Sequence, residues 1–144
     1  MSKKISEQDI YNSFKGVISD SDKVIILYSA IYSFAHKLNW EISQSANNIL
    51  DILLDVIGSK RTLIIPSYFH DFSHTRKYDL SLSSTSNGLL SNAALRRKDM
   101  YRTHNPLQSY LVYGSRKEEL IKIKTKTSWG KSSVMGWLCN NNAK

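Results

Sequence analysis

The residues best suited to chemistry lie between Arg102 and Gly114. Arg102, Thr103 and His104 form a polar cluster that runs into an Asn-Pro pair. A short apolar stretch follows and stops at Gly114, which is typical of a strand. Loops present side chains to ligands by holding a polar cluster at the mouth of a strand. The pattern therefore predicts a binding loop that contains residues 102–104.

Arg102 and His104 also have structural interpretations. Arg102 could form an ion pair with Asp79 or Asp99 instead of holding a ligand. A histidine in a polar loop is usually solvated, so we assign no catalytic role to His104. The sequence leaves two roles of Arg102 open, as a ligand-binding residue and as a structural hydrogen-bond donor.

The remaining candidate patterns do not predict a metal or a phosphate-loop site. His70 and His74 flank Asp71, but they follow no helical pattern and no further ligand is apparent, so no metal is expected. The Gly-Lys-Ser sequence at residues 130–132 lacks the upstream glycine of a phosphate-binding loop. The single cysteine, Cys139, permits no disulfide within the chain, and we expect it to be buried on an apolar helix face.

Composition limits the classes of partner. The chain has 144 residues, about one domain, and a net charge of +8. A basic balance favours acidic partners such as a phosphate-bearing cofactor, a nucleic acid or an anionic membrane. The densest basic runs, at residues 60–61, 96–98 and 122–126, fall short of the five or six like charges of a nucleic-acid arm. No signal core and no bilayer-spanning apolar run is present. We therefore expect a cytoplasmic protein that binds neither nucleic acid nor membrane.

The first half of the chain predicts a strand, a helix and a second strand. Val24–Tyr28 is a continuous apolar run, typical of a strand that is buried on both faces. Apolar residues recur at steps of three and four from Ile42 to Ile57, and Gly58 ends that amphipathic helix. Thr62–Ile65 is a second buried strand, stopped by Pro66. Such a unit is usually parallel, so the expected fold class is α/β, a layered sheet with helices on both faces.

Shorter elements follow in what we expect to be one domain of residues 1–144. Residues 67–87 are irregular and rich in serine, and a loop of this length is uncommon unless it has a function. A helix should start after the Asn-Gly pair at 87–88, and a third strand should cover Tyr110–Tyr113. Residues 115–118 match a capping box for a further helix, and residues 130–133 should start the last one.

Five segments, in chain order, resemble the aminoglycoside 3-N-acetyltransferase family. Residues 27–31 are similar to its Val-His-Ser-Ser-Leu segment, with Tyr for His and Ala for the second Ser. Residues 58–68 resemble its Gly-Thr-Leu-Val-Met-Pro-Thr strand, and residues 87–96 resemble in part its Met-Gly-x-Leu-x-Glu-x-x-Arg-Arg segment. Residues 102–114 are the strongest match, to Arg-Ser-x-His/Asn-Pro-x-x-Ser-Phe-x-x-x-Gly. Residues 129–134 resemble Phe-Gly-x-x-Ser-Pro/Val.

The resemblance implies an acetyl-CoA-dependent N-acetyltransferase acting on the amine of an aminoglycoside or an amino sugar. In this family the loop after the first strand holds the pantetheine arm of coenzyme A, partly through backbone N–H groups. The cofactor-binding residues that the resemblance implies here are Ser29, Ala30, Ile31, Arg102 and Thr103. We term the irregular segment of residues 67–87, which contains several aromatic residues, the aromatic loop. We expect the substrate-binding residues, Tyr68, His70 and Asp71, at its start; the alternative is that the aromatic residues cover one end of the core.

The catalytic base is the part of the family pattern that this sequence lacks. The family assigns proton removal to a histidine in a Thr-x-x-His-x-x-Glu-like segment, which would lie beyond residue 144, so no catalytic residue is assigned here. We expect the N-terminal half of a truncated enzyme, a fold that is incomplete relative to the full family fold and that leaves a sheet edge and an apolar face uncovered. Its partners would be a C-terminal half or a second copy. The alternative is a non-catalytic interaction module that docks a partner through this face.

Overall fold

Four strands form one mixed sheet in the computed structural model, which describes residues 4–38, 40–124 and 126–144 apart from the side chain of Ser43. The strands are β1 (Val24–Ile26), β2 (Thr62–Pro66), β3 (Tyr101–Arg102) and β4 (Tyr110–Gly114). Their order across the sheet is β1-β2-β4-β3. β1 is parallel to β2, and β4 is antiparallel to both of its neighbours. The carboxyl ends of β1, β2 and β3 therefore meet at one edge of the sheet, where β4 begins.

Helices cover both faces of this sheet. The bounds of the helices are Glu7–Val17 (α1), Ile42–Ile57 (α2), Phe72–Thr75 (α3), Leu89–Leu95 (α4), Lys117–Ile121 (α5) and Val134–Asn140 (α6). α1, α2 and α4 contribute to the core on one face, whereas α5 and α6 contribute to the core on the other. Two 3-10 turns, Ile31–Ser33 and Ala35–Lys37, lead from β1 towards α2.

The side chains of β2 show why the sheet needs two layers of helices. Leu63 and Ile65 point into the core on the α2 side, and Ile64 points into the core on the α6 side. These three side chains are 0% to 1% exposed. Because successive strand residues point to opposite faces, an unbroken apolar strand is stable only when both faces are covered. The predicted α/β fold with helices on both faces is confirmed.

α2 supplies most of the packing on its face. The buried apolar residues of α2 recur at steps of three and four, and they are Ala46, Ile49, Leu50, Leu53, Leu54, Val56 and Ile57. Full burial of one such aliphatic side chain contributes about 1.5–3 kcal/mol to folding. The helix ends where predicted, because Gly58 adopts a φ of 62°, which glycine reaches without steric cost.

Three local predictions are wrong. The capping box at residues 115–118 does not form: Arg116 is the N-cap of α5, and the Ser115 hydroxyl donates instead to the Lys60 carbonyl, 3.1 Å away. Cys139 is exposed, because α6 buries Val134 and Leu138 and Cys139 lies one residue further around the helix. β1 stops at Ile26 rather than at residue 28. β3, a two-residue strand, was not predicted because so short a polar segment has no periodicity.

Gly114 fixes the turn that leaves β4. Its φ is 103°, and a Cβ atom there would collide with the backbone carbonyl of Arg61. Close pairing of β2 and β4 therefore requires glycine at this position. Gly16, in α1, is the opposite case, because no atom lies within 4 Å of the position that its Cβ would take.

Replacing Gly114 by alanine should lower the free energy of unfolding by roughly 3 kcal/mol, from the positive φ and the backbone collision together. The matched control, Gly16→Ala, should raise it by about 0.5–1 kcal/mol, since alanine is favoured within a helix. Urea unfolding followed by circular dichroism measures both. Equal stabilities for the two variants would contradict this account of the β4 turn.

Candidate functional site

The sheet edge brings the predicted binding residues to one end of the fold. Ser29 follows β1, Tyr68 follows β2 and Thr103 follows β3, so all three lie beyond the carboxyl ends of their strands. Loops at this edge are the usual location of ligand sites in α/β sheets. The edge is therefore the candidate functional site.

The loop after β1 presents unpaired polar groups. Ser29 is exposed, and its hydroxyl makes no hydrogen bond to any residue in the described part of the chain. It borders a cavity of about 80 Å³ that Pro66, Asn87 and Ser91 also line. Ala30 is exposed and begins the first 3-10 turn, whereas Ile31 is 4% exposed and packs in the core. The loop is thus anchored by one apolar residue and leaves its polar atoms accessible.

Arg102 holds the aromatic loop through its guanidinium. The side chain is buried and donates to the carbonyl oxygens of Ser67, Ser83 and Ser84, at 2.6, 2.5 and 2.9 Å. A fourth bond, of 3.3 Å, goes to the hydroxyl of Ser109. Burial lowers the pKa of Arg102 below its usual value, but an arginine stays protonated at neutral pH. The structural interpretation of Arg102 is therefore the one that its contacts support.

The predicted ion pairs of Arg102 are absent among the described residues. Asp99 pairs instead with Arg97, at 2.9 Å, and the carboxylate of Asp79 accepts the backbone N–H groups of Ser81 and Leu82. Carbonyl oxygens replace carboxylates as the partners of this buried guanidinium. A planar fork with five donors suits that arrangement, because it satisfies several oxygens at once.

Thr103 lies behind the same surface. It is 0% exposed, and its hydroxyl accepts the backbone N–H of Tyr110, 2.9 Å away. The phenol of Tyr78 donates to the Thr103 carbonyl at 3.2 Å, and the Tyr78 ring lies 5.0 Å from the guanidinium carbon of Arg102. Arg102 and Thr103 thus join the start of β4 to the aromatic loop, without facing solvent.

A chain of three phenols crosses the edge on the α6 side. The hydroxyl oxygens of Tyr28 and Tyr68 are 3.1 Å apart, and those of Tyr68 and Tyr110 are 3.4 Å apart. Tyr110 is 0% exposed and Tyr28 is 58% exposed, so the chain runs from the core to solvent. Burial raises the pKa of Tyr28 and of Tyr68 to about 12. These phenols therefore keep their protons at neutral pH.

The other predicted substrate residues lie on the aromatic loop. The ring of His70 is 6.2 Å from that of Tyr68, and the backbone N–H of Tyr68 donates to Asn87 at 2.5 Å. Asp71 is the N-cap of α3 and is exposed, without a side-chain cap hydrogen bond. Tyr68 and His70 are therefore neighbours, and Asp71 borders them in sequence with its carboxylate open to solvent.

Sequence reasoning missed two residues of this edge. Tyr28 was noted only because it replaces the histidine of the family segment, and Asn87 only because it precedes a helix. Asn87 in fact accepts the backbone N–H of Tyr68, which fixes the direction in which the aromatic loop leaves β2. A polar residue beside a predicted loop gives no sign of a partner 19 positions away.

Two further features limit the candidate chemistry. Among the described residues, no group of three or more His, Cys, Asp or Glu side chains is arranged to hold a metal ion. None of the helices found in the described ranges is both long and apolar enough to span a bilayer.

The fold is α/β, with its candidate site at the strand-end loops, and the sequence specifies the family. Residues 33–144 match the aminoglycoside 3-N-acetyltransferase family. The chain therefore belongs to this family. A comparison of its sequence with curated proteins gave no match.

Solved structures of acetyltransferases share the fold at low sequence identity. The apoenzyme of aminoglycoside acetyltransferase AAC(3)-IVa has a TM-score of 0.80 and 14% identity, over 99% of this chain and 54% of that one. AAC-IIIb in a binary complex with CoASH has a TM-score of 0.76 and 15% identity, over 94% of this chain and 56% of that one. Sisomicin-bound AAC-VIa has a TM-score of 0.78 and 9% identity, over 98% of this chain and 58% of that one. The chain thus spans little more than half the length of these structures.

Arg102→Lys should lower the free energy of unfolding by roughly 3 kcal/mol, because the single nitrogen of a lysine cannot reach all the oxygens that three separate guanidinium nitrogens meet, and buried acceptors are left unpaired. The exposed Arg96→Lys is the matched control and should stay within about 0.5 kcal/mol of the wild type. Thermal unfolding gives the stability, and limited proteolysis of residues 67–87 reports loosening of the loop. If Arg102→Lys had the stability and the proteolysis pattern of the wild type, the role of Arg102 in holding the aromatic loop would be refuted.

The buried phenols should make stability fall in alkali. Their neutral form is favoured in the folded state, so their contribution is complete below pH 10, near the unfolded pKa, and is lost as pH rises towards 12. Tyr68→Phe should reduce the slope of unfolding free energy against pH between about 10 and 11.5. Tyr32→Phe, at a side chain 69% exposed, should keep the wild-type slope. Equal slopes in the two variants would contradict the assignment.

Proposed function

We propose that this chain, residues 1–144 as one domain, is the N-terminal part of an acetyl-CoA-dependent N-acetyltransferase that acts on the amine of an aminoglycoside or an amino sugar. Family membership supports acyl transfer in general, and the CoASH complex of AAC-IIIb supports the carrier. One observation on this chain carries the proposal. The backbone N–H groups of Tyr28, Ser29 and Ala30, consecutive in the loop after β1, donate to no described residue.

This loop suits the pantetheine arm of coenzyme A. The arm contains amide groups whose carbonyl oxygens need donors, and the three free N–H groups and the Ser29 hydroxyl supply them. The adjoining cavity of about 80 Å³ is far smaller than the roughly 300–1,000 Å³ of sites for drug-sized ligands. It therefore favours a narrow chain over a ring system. Ile31, buried in the core, holds the loop in place.

Arg102 and Thr103 act in this proposal as positioning residues. They fix Ser67 and the aromatic loop, and Tyr68 follows Ser67 directly. The cofactor loop and the aromatic loop also meet through the Tyr28 and Tyr68 hydroxyls. A shift of the Arg102 clamp would therefore displace the surface that borders Ser29.

The acceptor is proposed to lie on Tyr68, His70 and Asp71. An aminoglycoside combines sugar rings with ammonium groups, and the aromatic faces of Tyr68 and His70 can pack against such rings. The exposed carboxylate of Asp71 can pair with an ammonium group. The sisomicin complex of AAC-VIa supports this acceptor class.

Acetyl transfer requires an unprotonated amine to attack the thioester carbonyl. A carbon–nitrogen bond forms, the carbon–sulfur bond breaks, and the proton that the nitrogen loses passes through a base to the departing thiolate. Acetyl-CoA supplies the activated acyl group. Tyr28 and Tyr68 do not serve as the base, because a pKa of about 12 keeps them protonated at neutral pH. We propose that a C-terminal part of the family fold supplies the base, as the family resemblance implies.

The outer edge of β1 supports docking of that further part. Lys144 pairs with β1 there through its backbone. Its N–H donates to the Val24 carbonyl at 3.1 Å, and its carbonyl accepts the N–H of Ile26 at 2.7 Å, so the two bonds lie on either side of Ile25. This is the hydrogen-bond pattern of a parallel strand. The ammonium group of Lys144 also pairs with Asp22 at 3.2 Å. We propose that a C-terminal half adds strands beside β1; a second copy of the chain is the alternative occupant.

Calorimetry with coenzyme A tests the cofactor proposal. The wild-type chain should bind it, and Ser29→Ala should weaken binding about 3- to 10-fold through loss of one hydrogen bond. Ser59→Ala, at an exposed serine on the opposite edge of the sheet, is the matched control and should leave the affinity unchanged. Acetyl transfer to sisomicin should require addition of a C-terminal half of the family fold.

The absence of heat and of competition at millimolar coenzyme A would refute the cofactor proposal. Equal weakening by Ser29→Ala and Ser59→Ala would refute the assignment of the loop. Binding of a C-terminal half without acetyl transfer would instead favour the non-catalytic interaction module.

A further inference from the structure

A cavity of about 380 Å³ lies beside β3, at the end of the sheet farthest from β1. The residues that line it come from the aromatic loop, the end of α4, the segment before β3, β3 itself and α5. We term this cavity the β3 groove and define it by Leu80, Leu95, Arg97, Lys98, Tyr101 and Ile121. The proposed function leaves this groove without a ligand.

The outer side of β3 has unpaired backbone groups, because no described strand lies beyond it. The N–H of Thr103 donates to the Tyr110 carbonyl at 2.9 Å, in the position next to Arg102. Bonded and unbonded pairs alternate along antiparallel strands, so the backbone N–H and carbonyl of Arg102 point away from β4. The N–H groups of Met100 and His104 also donate to no described residue. The groove therefore contains backbone groups that a further strand could bond.

Side chains from both helical layers line the groove. Leu95 packs against the core on the α2 side, whereas Ile121 belongs to α5, which covers the opposite face. Leu80 is half-buried, and Tyr101 is 41% exposed. Because successive side chains of a strand point to opposite faces, a strand beside β3 would place side chains against both walls. Backbone bonds together with such alternate side-chain contacts are how proteins recognise an added strand.

The unpaired charge around the groove is positive. Lys98 lines it and is exposed, and the ammonium of Lys117 lies 4.2 Å from the centre of the Tyr101 ring. Neither lysine forms an ion pair with a described carboxylate, whereas Arg97 is paired with two. Of the residues that the structure describes, no Asp or Glu lines the groove. Charge complementarity therefore favours an acidic partner.

A second copy of the chain does not suit this groove. Two copies that paired through β3 about a twofold axis would bring the same positive surface of each together. Each copy also carries a net charge of +8, which adds to the repulsion. The composition that fits is a different one, an extended segment with apolar side chains at alternate positions and carboxylates between them.

We propose that the β3 groove binds an extended acidic segment of a partner protein, which adds as a strand beside β3. The segment bonds the backbone of Arg102, and its carboxylates pair with Lys98 and Lys117. Its apolar side chains contact Leu95 and Ile121. The inference is independent of the proposed function, because three strand spacings, about 14 Å, separate β3 from the β1 edge where a C-terminal half would dock.

The synthetic peptide acetyl-Val-Glu-Val-Glu-Val-Glu-amide tests this proposal on the intact chain. Titration followed by NMR of the backbone amides should show saturable binding. The analogue with lysine in place of each glutamate should bind about fivefold or more weakly, because its charges repel those of the groove. An analogue that is N-methylated at both central residues keeps every side chain, yet it should bind about tenfold more weakly, since it lacks a backbone donor in either orientation.

Amide hydrogen exchange locates the bound peptide. Saturating peptide should slow exchange at the outward N–H of Arg102 about fivefold or more. The N–H of Thr103 already donates to Tyr110, so its exchange should stay the same. Protection at Ile26 in place of Arg102 would assign the peptide to the β1 edge and overturn the proposal.

Charge reversal tests the two lysines. Lys98→Glu/Lys117→Glu should weaken binding of the glutamate peptide about tenfold and strengthen binding of the lysine peptide. The matched control Lys15→Glu/Lys37→Glu changes the net charge equally, at exposed positions on α1 and the second 3-10 turn, and should alter affinity less than about twofold.

Three results would overturn the proposal. They are the absence of binding of the glutamate peptide, equal weakening by the two double variants, and unchanged binding after N-methylation. Dimerisation of the chain that the Lys98 and Lys117 substitutions alter, measured by sedimentation, would assign the groove to a second copy and would overturn it as well.

Discussion

The buried guanidinium of Arg102 is the constraint on which the binding edge depends. A charged group can be buried only where its donors are satisfied, and here carbonyl oxygens from two separate stretches of the aromatic loop satisfy them. If the aromatic loop moved away from the sheet, its carbonyl oxygens would lose their donors, and the Arg102 guanidinium would lose its acceptors. The hydrogen bonds of Arg102 therefore hold a serine-rich segment with few apolar residues in one conformation.

The direction of β4 decides which loops lie at this edge of the sheet. Because β4 runs antiparallel to β2, the loop that precedes it lies beside the loops that follow β1 and β2. A parallel β4 would have carried His104 and Asn105 to the opposite edge. The loop after β1, the aromatic loop and the loop before β4 are neighbours for this topological reason, although they lie far apart in the sequence.

Two of the substitutions relative to the family pattern lie close together. Tyr28 replaces a histidine and Tyr110 replaces a phenylalanine, and both lie in hydrogen-bond range of Tyr68. A phenol at each position links the buried Tyr110 to the exposed Tyr28 through Tyr68. These phenols keep their protons at neutral pH, and their hydrogen bonds tie the loops after β1 and β2 to the start of β4.

The sequence by itself determined the layered α/β sheet, because continuous apolar strands and a 16-residue amphipathic helix leave few other ways to bury their surfaces. It also predicted candidate binding loops, since Ser29, Tyr68 and Arg102 stand at the ends of predicted strands or beside them. Only the tertiary structure decided which groups those residues contact. Whether Arg102 meets a ligand, Asp99 or a carbonyl depends on contacts 18 to 35 positions away, which leave no local pattern. The Ser115 cap failed for the same reason: the Ser115 hydroxyl donates to the Lys60 carbonyl, which lies in the turn before β2, 55 positions away.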